Sequence, residues 1–354
     1  MNDRYNLITR NLQEIQGKDD LEFKLLNNKT LKCYWGTSPT GRIHIGYLIP
    51  LLKIADFVSA GCEVTILLAD IHAYLDNMKS SLELVTARTN YYERMIKVVL
   101  QELRVDLSKV KFVTGSSFQK SEAYTMDIYR LSNLVNLHQA QKAGAEVVKQ
   151  DNNPKLSSML YPLLQALDEE YLDVDIQFGG VDQRKIFALA LDYLPQLGYR
   201  KRIHLMNPMV PAINAKPGKK AIKSDETEKM SSSDPKSKID LLDNPHDIKK
   251  KIMTAYSQDR DISFNPLLQL YKMVIFPLNS ERHSIIIDRE EKYGGSISFR
   301  SFDELQCGFI NGSINSPDLK IFAFNIINSF LQPIRETFQS EDLQQLLNSA
   351  YPDN

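Results

Sequence analysis

The sequence predicts an α/β protein: a parallel-sheet domain and then a smaller, mainly helical one. Three observations predict it. Short apolar runs alternate with longer stretches at helical spacing through the first two thirds of the chain. That alternation is the pattern of parallel strands joined by crossover helices. The pattern then breaks at a polar, charged segment, 214–238, reading NAKPGKKAIKSDETEKMSSSDPKSK, and the remainder of the chain is mainly helical.

The strands come in order as Lys32–Thr37, Val64–Ala69, Val110–Thr114, Val174–Phe178 and Arg202–Met206. Between them helices are expected over Ile45–Ala60, Leu82–Leu103, Ser121–Gln141, Leu163–Tyr171 and Gln183–Leu197. Pro162 puts the start of the fourth of these helices near Tyr161. The polar segment reads as a mobile loop. Beyond Asn244 the helical pattern resumes and ends in Leu319–Phe330 and Asp342–Asn348. The expected division is 1–234 and 235–354. There is no internal repeat.

The chain has 354 residues, 43% of them hydrophobic, enough for two cored domains. No apolar run approaches the ~20 residues of a membrane span. MNDRYNLITRNLQEIQ lacks a signal-peptide pattern. Cys33, Cys62 and Cys307 are scattered with no CxxC, which fits a reducing compartment and argues against a zinc site or a disulfide framework. A cytoplasmic protein with no metal site of its own is expected. The net charge of −1 excludes a general polycation, so a nucleic-acid partner would need a local patch.

The stretch CYWGTSPTGRIHIGYLIP, 33–50, is the first candidate site. Gly36, Pro39 and Gly41 let the backbone turn tightly after a strand. A helix starting near Ile45 would present free N–H groups to an anion, with His44 as an extra donor. Gly46 would leave room for a flat ring. An ordinary strand-to-helix loop with a surface histidine fits the same residues. KMSSS, Lys229–Ser233, lies in the polar segment, where a solvated lysine in a serine-rich linker is the alternative. A third candidate is SSMLYPLLQALDEEYLDVDIQFGGVDQRK. Tyr161, Gln165 and Asp168 share one helical face there. A buried Asp168 would need a partner, and a phenol hydroxyl can donate to it; a solvated acidic cluster of Asp168, Glu169 and Glu170 fits the same residues. Tyr34 could donate to the same hydroxyl oxygen.

PTGRIHIGY and KMSSS, in this order and bracketing an α/β pattern, resemble the HIGH and KMSKS signatures of class I aminoacyl-tRNA synthetases. The runs NLITRNLQEI, AGCEVTILLADIHAYLDNMK, KAGAEVVKQ, YPLLQALDEEYL, FGGVDQRKIF, HLMNPMVP, SKIDLLD and AYPD make the whole chain similar to tyrosyl-tRNA synthetases of the eukaryotic and archaeal type. The resemblance implies a Rossmann-like catalytic domain over 1–234, a helical anticodon-binding domain over 235–354, and a homodimer. It implies L-tyrosine, ATP with Mg²⁺ on its phosphates, and tRNA-Tyr as partners, with no membrane. Tyr34 and Asp168 then read the substrate phenol, and Tyr161, Gln165 and Gln183 hold its α-amino end. Leu67, Ala69 and His72 form pocket wall. Thr40, Gly41, His44, Gly46, Gly180, Asp182, Lys229, Met230, Ser231, Ser232 and Ser233 bind ATP, with His44 and Lys229 catalytic. Tyr293 and Asp318 grip the first anticodon base, and Lys320 holds the adjacent phosphate.

The sequence departs from the family at Tyr47 and Ser232, where histidine and lysine stand in the signatures, leaving His44 and Lys229 more of the charge work. The loop before KMSSS is long. Asn315 replaces a histidine often found three residues before the anticodon aspartate. No appended domain is expected after Asn354, and no inserted editing domain. Asp318 could alternatively cap a helix starting near Leu319. Tryptophanyl-tRNA synthetases share both signatures, but an indole offers no phenol to Tyr34 and Asp168. A simple nucleotidyltransferase would not need the helical half. A non-catalytic RNA-binding relative would not need intact His44, Lys229, Asp168 and Gln183.

Overall fold

The computed structural model describes residues 2–76, 80–147, 155–217, 238–280 and 284–352. Lys229, Met230, Ser231, Ser232 and Ser233, with most of the polar segment, lie outside the described residues. By packing, the chain divides into two compact units. One is Met1–Thr40, Lys53–Met209 and Gln344–Asn354; the other is Gly41–Leu52 and Val210–Leu343.

The first unit is built on a six-stranded sheet. Its strands are β1 (Glu14–Gln16), β2 (Lys32–Thr37), β3 (Glu63–Leu68), β4 (Val110–Thr114), β5 (Ile176–Gly180) and β6 (Ile203–Asn207). Their order is β1-β6-β5-β2-β3-β4. All neighbours are parallel except β1, which pairs antiparallel with β6. Most of the parallel strands were legible as buried runs; β2 carries Cys33, Tyr34 and Trp35 all buried in succession, whereas the edge strand β4 is only half-buried. β1 was not, because three residues, Glu-Ile-Gln, carry no periodic signal. Strand order reverses at β2, whose sequence neighbours β3 and β4 lie on one side and β5 and β6 on the other. The crevice beyond the carboxyl ends of β2 and β5 is therefore the switch point where such sheets take ligands.

Two helices depart from expectation. Ser121–Gln141 is two helices, Glu122–Leu134 and Leu137–Gly144. Between them Asn136 and Gln139 form a capping box, each side chain accepting the other's backbone N–H, so a new helix starts there. The helix expected from Leu163 begins at Leu156 and carries Pro162 inside it. An interior proline costs about 3 kcal/mol or more. Burial of Met159, Leu163, Leu164 and Leu167 at roughly 1.5–3 kcal/mol each outweighs that.

The second unit is mainly helical. It holds Pro245–Met253, Phe302–Asn311 and Ser316–Thr337, with a small antiparallel hairpin, β7 (Ile285–Ile287) and β8 (Ile297–Phe299). No helix among the described residues is long and apolar enough to cross a membrane.

Candidate active site

The site at the switch point is built on Tyr34. Its position in β2 puts the side chain in a small buried cluster with Leu67, Ala69 and Val174. The phenol donates to the Gln165 carbonyl at 3.4 Å. Burial first, then the neighbouring Asp168 charge, keeps this phenol well above its ordinary range, so it stays a donor.

Asp168 lies on helix Leu156–Tyr171 and is fully buried. Its Oδ1 accepts from Gln119 Nε2 at 2.7 Å and from the Tyr124 hydroxyl at 2.8 Å. No donor among the described residues reaches its Oδ2. His72 Nε2 stands 3.8 Å away, beyond hydrogen-bond range. Burial pushes the Asp168 carboxyl up to about 7, against the opposing bonds from Gln119 and Tyr124. Burial pulls the His72 imidazole down to about 4, so at neutral pH it is an uncharged wall, edge-on to the Tyr161 ring at 4.7 Å. The result is one buried carboxylate oxygen, locked in place through its twin and lacking a donor among the described residues.

Gln119 and Tyr124 are the residues sequence reasoning missed. They sit 49 and 44 positions from Asp168, so no local pattern joins them. Their one sequence trace is Gly115. A Cβ there would stand 2.7 Å from Gln119 Oε1 and 3.0 Å from Asp70 Oδ1, so a larger residue would make the Gln119 amide shift.

Around this point the remaining expected residues of the first unit gather in part. Gln165 Nε2 donates to Gln183 Oε1 at 2.9 Å, so the two glutamines form one polar wall. Gly180 ends β5 and leads into Asp182 and Gln183; a Cβ at Gly180 would meet Asp182 Oδ1 at 2.5 Å. Thr40 is the last residue of the unit's first segment.

Gly41, His44 and Gly46 belong to the second unit. A 3₁₀ turn, Ile45–Tyr47, precedes the α-helix Leu48–Ser59. His44 is its cap: Nδ1 accepts the Gly46 N–H at 3.2 Å. That fixes the tautomer, leaving Nε2 with the proton and with it the donor role. Burial, and then the Lys238 charge, pull the imidazole down to about 3. His44 therefore donates as a neutral group, and the charge work expected of it is not available at neutral pH. The turn is bound to the chain just after the polar segment. The Ile45 N–H donates to the Ile239 carbonyl at 2.8 Å and Leu241 N–H to the Ile43 carbonyl at 3.2 Å. Arg42 grips Asp240 with two nitrogens, at 3.0 and 3.2 Å. Ile239–Leu241 are thus bonded to the histidine turn, a link no spacing in the sequence announces.

In the same unit, Tyr293 is exposed at 59%, on a 3₁₀ turn before Gly294. Helix Ser316–Thr337 is capped by Asn315, whose Oδ1 accepts the Asp318 N–H at 3.0 Å. Asp318 is not the cap, because the helix begins three residues earlier than Leu319. Burial raises the Asp318 carboxyl, opposed by Arg289. Lys320 commits one donor to the Met253 carbonyl at 3.1 Å.

Residues 26–332 match tRNA synthetases class I (W and Y). The chain is 52% identical over 350 residues to the cytoplasmic tyrosine–tRNA ligase of Gallus gallus, covering 99% of this chain and 63% of that protein. It is 50% identical over 361 residues to the cytoplasmic enzyme of that name from Saccharomyces cerevisiae, covering 99% and 88%. The structure resembles that of a tyrosyl-tRNA synthetase complexed with L-tyrosine from Archaeoglobus fulgidus, with TM-score 0.85, 33% identity, and coverage of 95% and 98%. The chain thus spans less than two thirds of the length of some relatives and most of others. With a switch-point pocket, a capped histidine turn and this breadth of match, the chain belongs to the class I tRNA synthetases of the tryptophan and tyrosine type.

Proposed function

We propose that this chain is a tyrosine–tRNA ligase, which activates L-tyrosine with ATP and transfers the tyrosyl group to the 3′ end of tRNA-Tyr. One observation carries the choice of amino acid. Asp168 Oδ2 is buried with no hydrogen-bond partner among the described residues, while Oδ1 is held by Gln119 and Tyr124. A substrate phenol donates to Oδ2 and accepts from Tyr34. An indole N–H could use the first bond but offers Tyr34 no oxygen, so the Tyr34 phenol keeps only its long 3.4 Å bond to the Gln165 carbonyl. The wall of Leu67, Ala69 and His72 bounds the ring, and Tyr161, Gln165 and Gln183 receive the ammonium.

In the first step the tyrosine carboxylate attacks the α-phosphate of ATP and pyrophosphate leaves. The nucleophile is already ionised, so the reaction needs positioning and charge stabilisation rather than a general base. His44 Nε2–H supplies a neutral donor, and Lys229 supplies the positive charge, with Met230 and Ser231–Ser233 offering further contacts. Thr40, Gly41 and Gly46 admit the nucleotide, and Gly180 and Asp182 receive the ribose. Mg²⁺ enters with the ATP phosphates as part of that substrate. The second step passes the acyl group to the terminal ribose.

Anticodon reading is assigned to the helical region 235–354, with Tyr293 as a stacking ring, Asp318 as acceptor for a guanine edge and Lys320 near the phosphate. A homodimer is supported by Met126, Tyr129 and Leu134, apolar side chains left exposed on helix Glu122–Leu134. Sedimentation of the purified chain at one-chain mass would remove that assembly. A cytoplasmic setting follows the naming of the relatives.

The test is ATP–pyrophosphate exchange with single amino acids. Exchange is expected with tyrosine and negligible with tryptophan or phenylalanine. Exchange driven by tryptophan would replace this reading with the other member of the family. No exchange with any amino acid would leave a non-catalytic RNA-binding protein.

A further inference from the structure

The second unit contains a guanidinium that the anticodon reading leaves without a task. Arg289 lies two residues after β7, and its side chain is only 11% exposed. Its Nε donates to the Gly295 carbonyl at 3.0 Å. Its Nη1 donates to the Ser313 carbonyl at 2.8 Å, and the same nitrogen stands 3.8 Å from Asp318 Oδ2. The two carbonyls belong to two separate pieces of chain. Gly295 closes the turn that contains Tyr293. Ser313 opens the loop that runs through the Asn315 cap to Asp318.

The turn depends on its glycines. Gly294 and Gly295 have φ of +94° and +68°, a region side chains avoid. Arg289 packs directly on it, with Nη2 3.5 Å from where a Gly294 Cβ would sit. One planar fork therefore ties the turn of the exposed Tyr293 ring to the entry of the helix that carries Asp318. A lysine could supply the charge but not the fixed fork.

Asp318 stands at the other end of this fork. Its Oδ2 is buried, and no donor among the described residues reaches it. At 3.8 Å Arg289 acts on it through charge rather than a hydrogen bond. The other charge felt there is that of Asp259, which accepts the Ser316 N–H at 2.8 Å and repels a second carboxylate. The Tyr271 phenol, also close, donates to the Leu319 carbonyl at 2.7 Å and so offers nothing to Asp318. Of these groups only Arg289 favours the ionised form. An ionised carboxylate accepts on both oxygens; a protonated one spends one oxygen as a donor.

We propose that Arg289 is a positioning residue for reading the first anticodon base: it holds the Tyr293 turn and the Asp318 carboxylate in the one arrangement that receives a guanine. This rests on the anticodon reading above. The base's N1–H and N2–H₂ both meet the carboxylate, while the ring lies against Tyr293. Arg289 itself touches no base.

The experiment charges tRNA-Tyr, and versions with the first anticodon base replaced, using the intact chain and four variants. These are Arg289→Gln, Arg289→Lys, Asp318→Asn and the double variant Arg289→Gln/Asp318→Asn. Arg289→Gln is expected to raise KM for tRNA-Tyr about ten-fold, leave tyrosine-dependent exchange unchanged, and flatten the preference for guanine. Arg289→Lys should fall between it and the native chain. In the Asp318→Asn background, Arg289→Gln should add little, because both act through one contact. If Asp318→Asn flattens base preference and Arg289→Gln does not, Arg289 is a structural tie and the inference falls while the anticodon reading stands. If neither changes base preference, the anticodon reading itself falls. Should Arg289→Gln not fold, Arg289→Lys decides: base preference equal to the native chain overturns the proposal.

Discussion

In the proposed function Asp168 carries two opposed demands. To read a phenol it must be ionised, with a free oxygen; to be buried cheaply it must be neutral. The structure meets them part way, with a carboxyl pushed up to about 7 by burial and restrained by Gln119 and Tyr124. Tyrosine affinity should therefore weaken as pH falls through 7, since a charge-assisted bond is lost on protonation. In Asp168→Asn that dependence should vanish and affinity should drop roughly 10- to 100-fold, from one unmatched buried contact. The folded chain holds this proton more tightly than the unfolded chain, whose carboxyl titrates near 3.8. Stability therefore falls as pH rises from about 4 to 7, by at most roughly 4 kcal/mol. Asp168→Asn removes that cost, so it should raise the thermal midpoint more at pH 8 than at pH 5. Tyrosine titrations and melting curves at several pH values check both. A midpoint lowered equally at both pH values would contradict this view of Asp168.

Among the elements, the histidine turn separates structure from chemistry. His44 caps with Nδ1, which leaves Nε2–H as the donor on its far side. Asparagine is a good cap with no equivalent distal donor. His44→Asn should therefore leave the melting midpoint near that of the native chain while slowing exchange about 100-fold, the usual cost of losing one aimed donor. His44→Ala should add a stability loss of about 1 kcal/mol. Exchange at native rate in His44→Asn would reduce the residue to a helix start. Burial holds the imidazole neutral, so its contribution is complete above the ordinary value of 6.5 and is lost as pH falls towards 3. Native exchange should show no ionisation of His44 near 6.5.

The same elements show what was legible. The five parallel strands were readable within two residues at each end: the central ones because burial writes apolar runs, and the half-buried edge strand β4 from its β-branched and aromatic residues. The face shared by Tyr161, Gln165 and Asp168 was readable from helical spacing. The start of that helix was not, since Pro162 is a strong local signal that distant packing overrides. Nor was the Asn315 cap, where Asn and Asp three apart compete for one role. Gln119, Tyr124, Arg42 with Asp240, and Arg289 act across 24 to 198 positions or in pairs no periodicity links.

For the molecule as a whole, amino-acid choice falls to the sheet-bearing unit and anticodon choice to the helical one in the proposed function. Net charge of −1 gives no general attraction for RNA, so recognition must come from placed groups. Charging is the measurement that requires every part together. The intact chain is given ATP, labelled tyrosine and either tRNA-Tyr or tRNA-Trp. The expected result is ATP-dependent attachment of tyrosine to the 3′ end of tRNA-Tyr, approaching one per molecule, and none to tRNA-Trp. Tyrosine-dependent exchange without charging of tRNA-Tyr, or attachment of tryptophan, would contradict the proposed function.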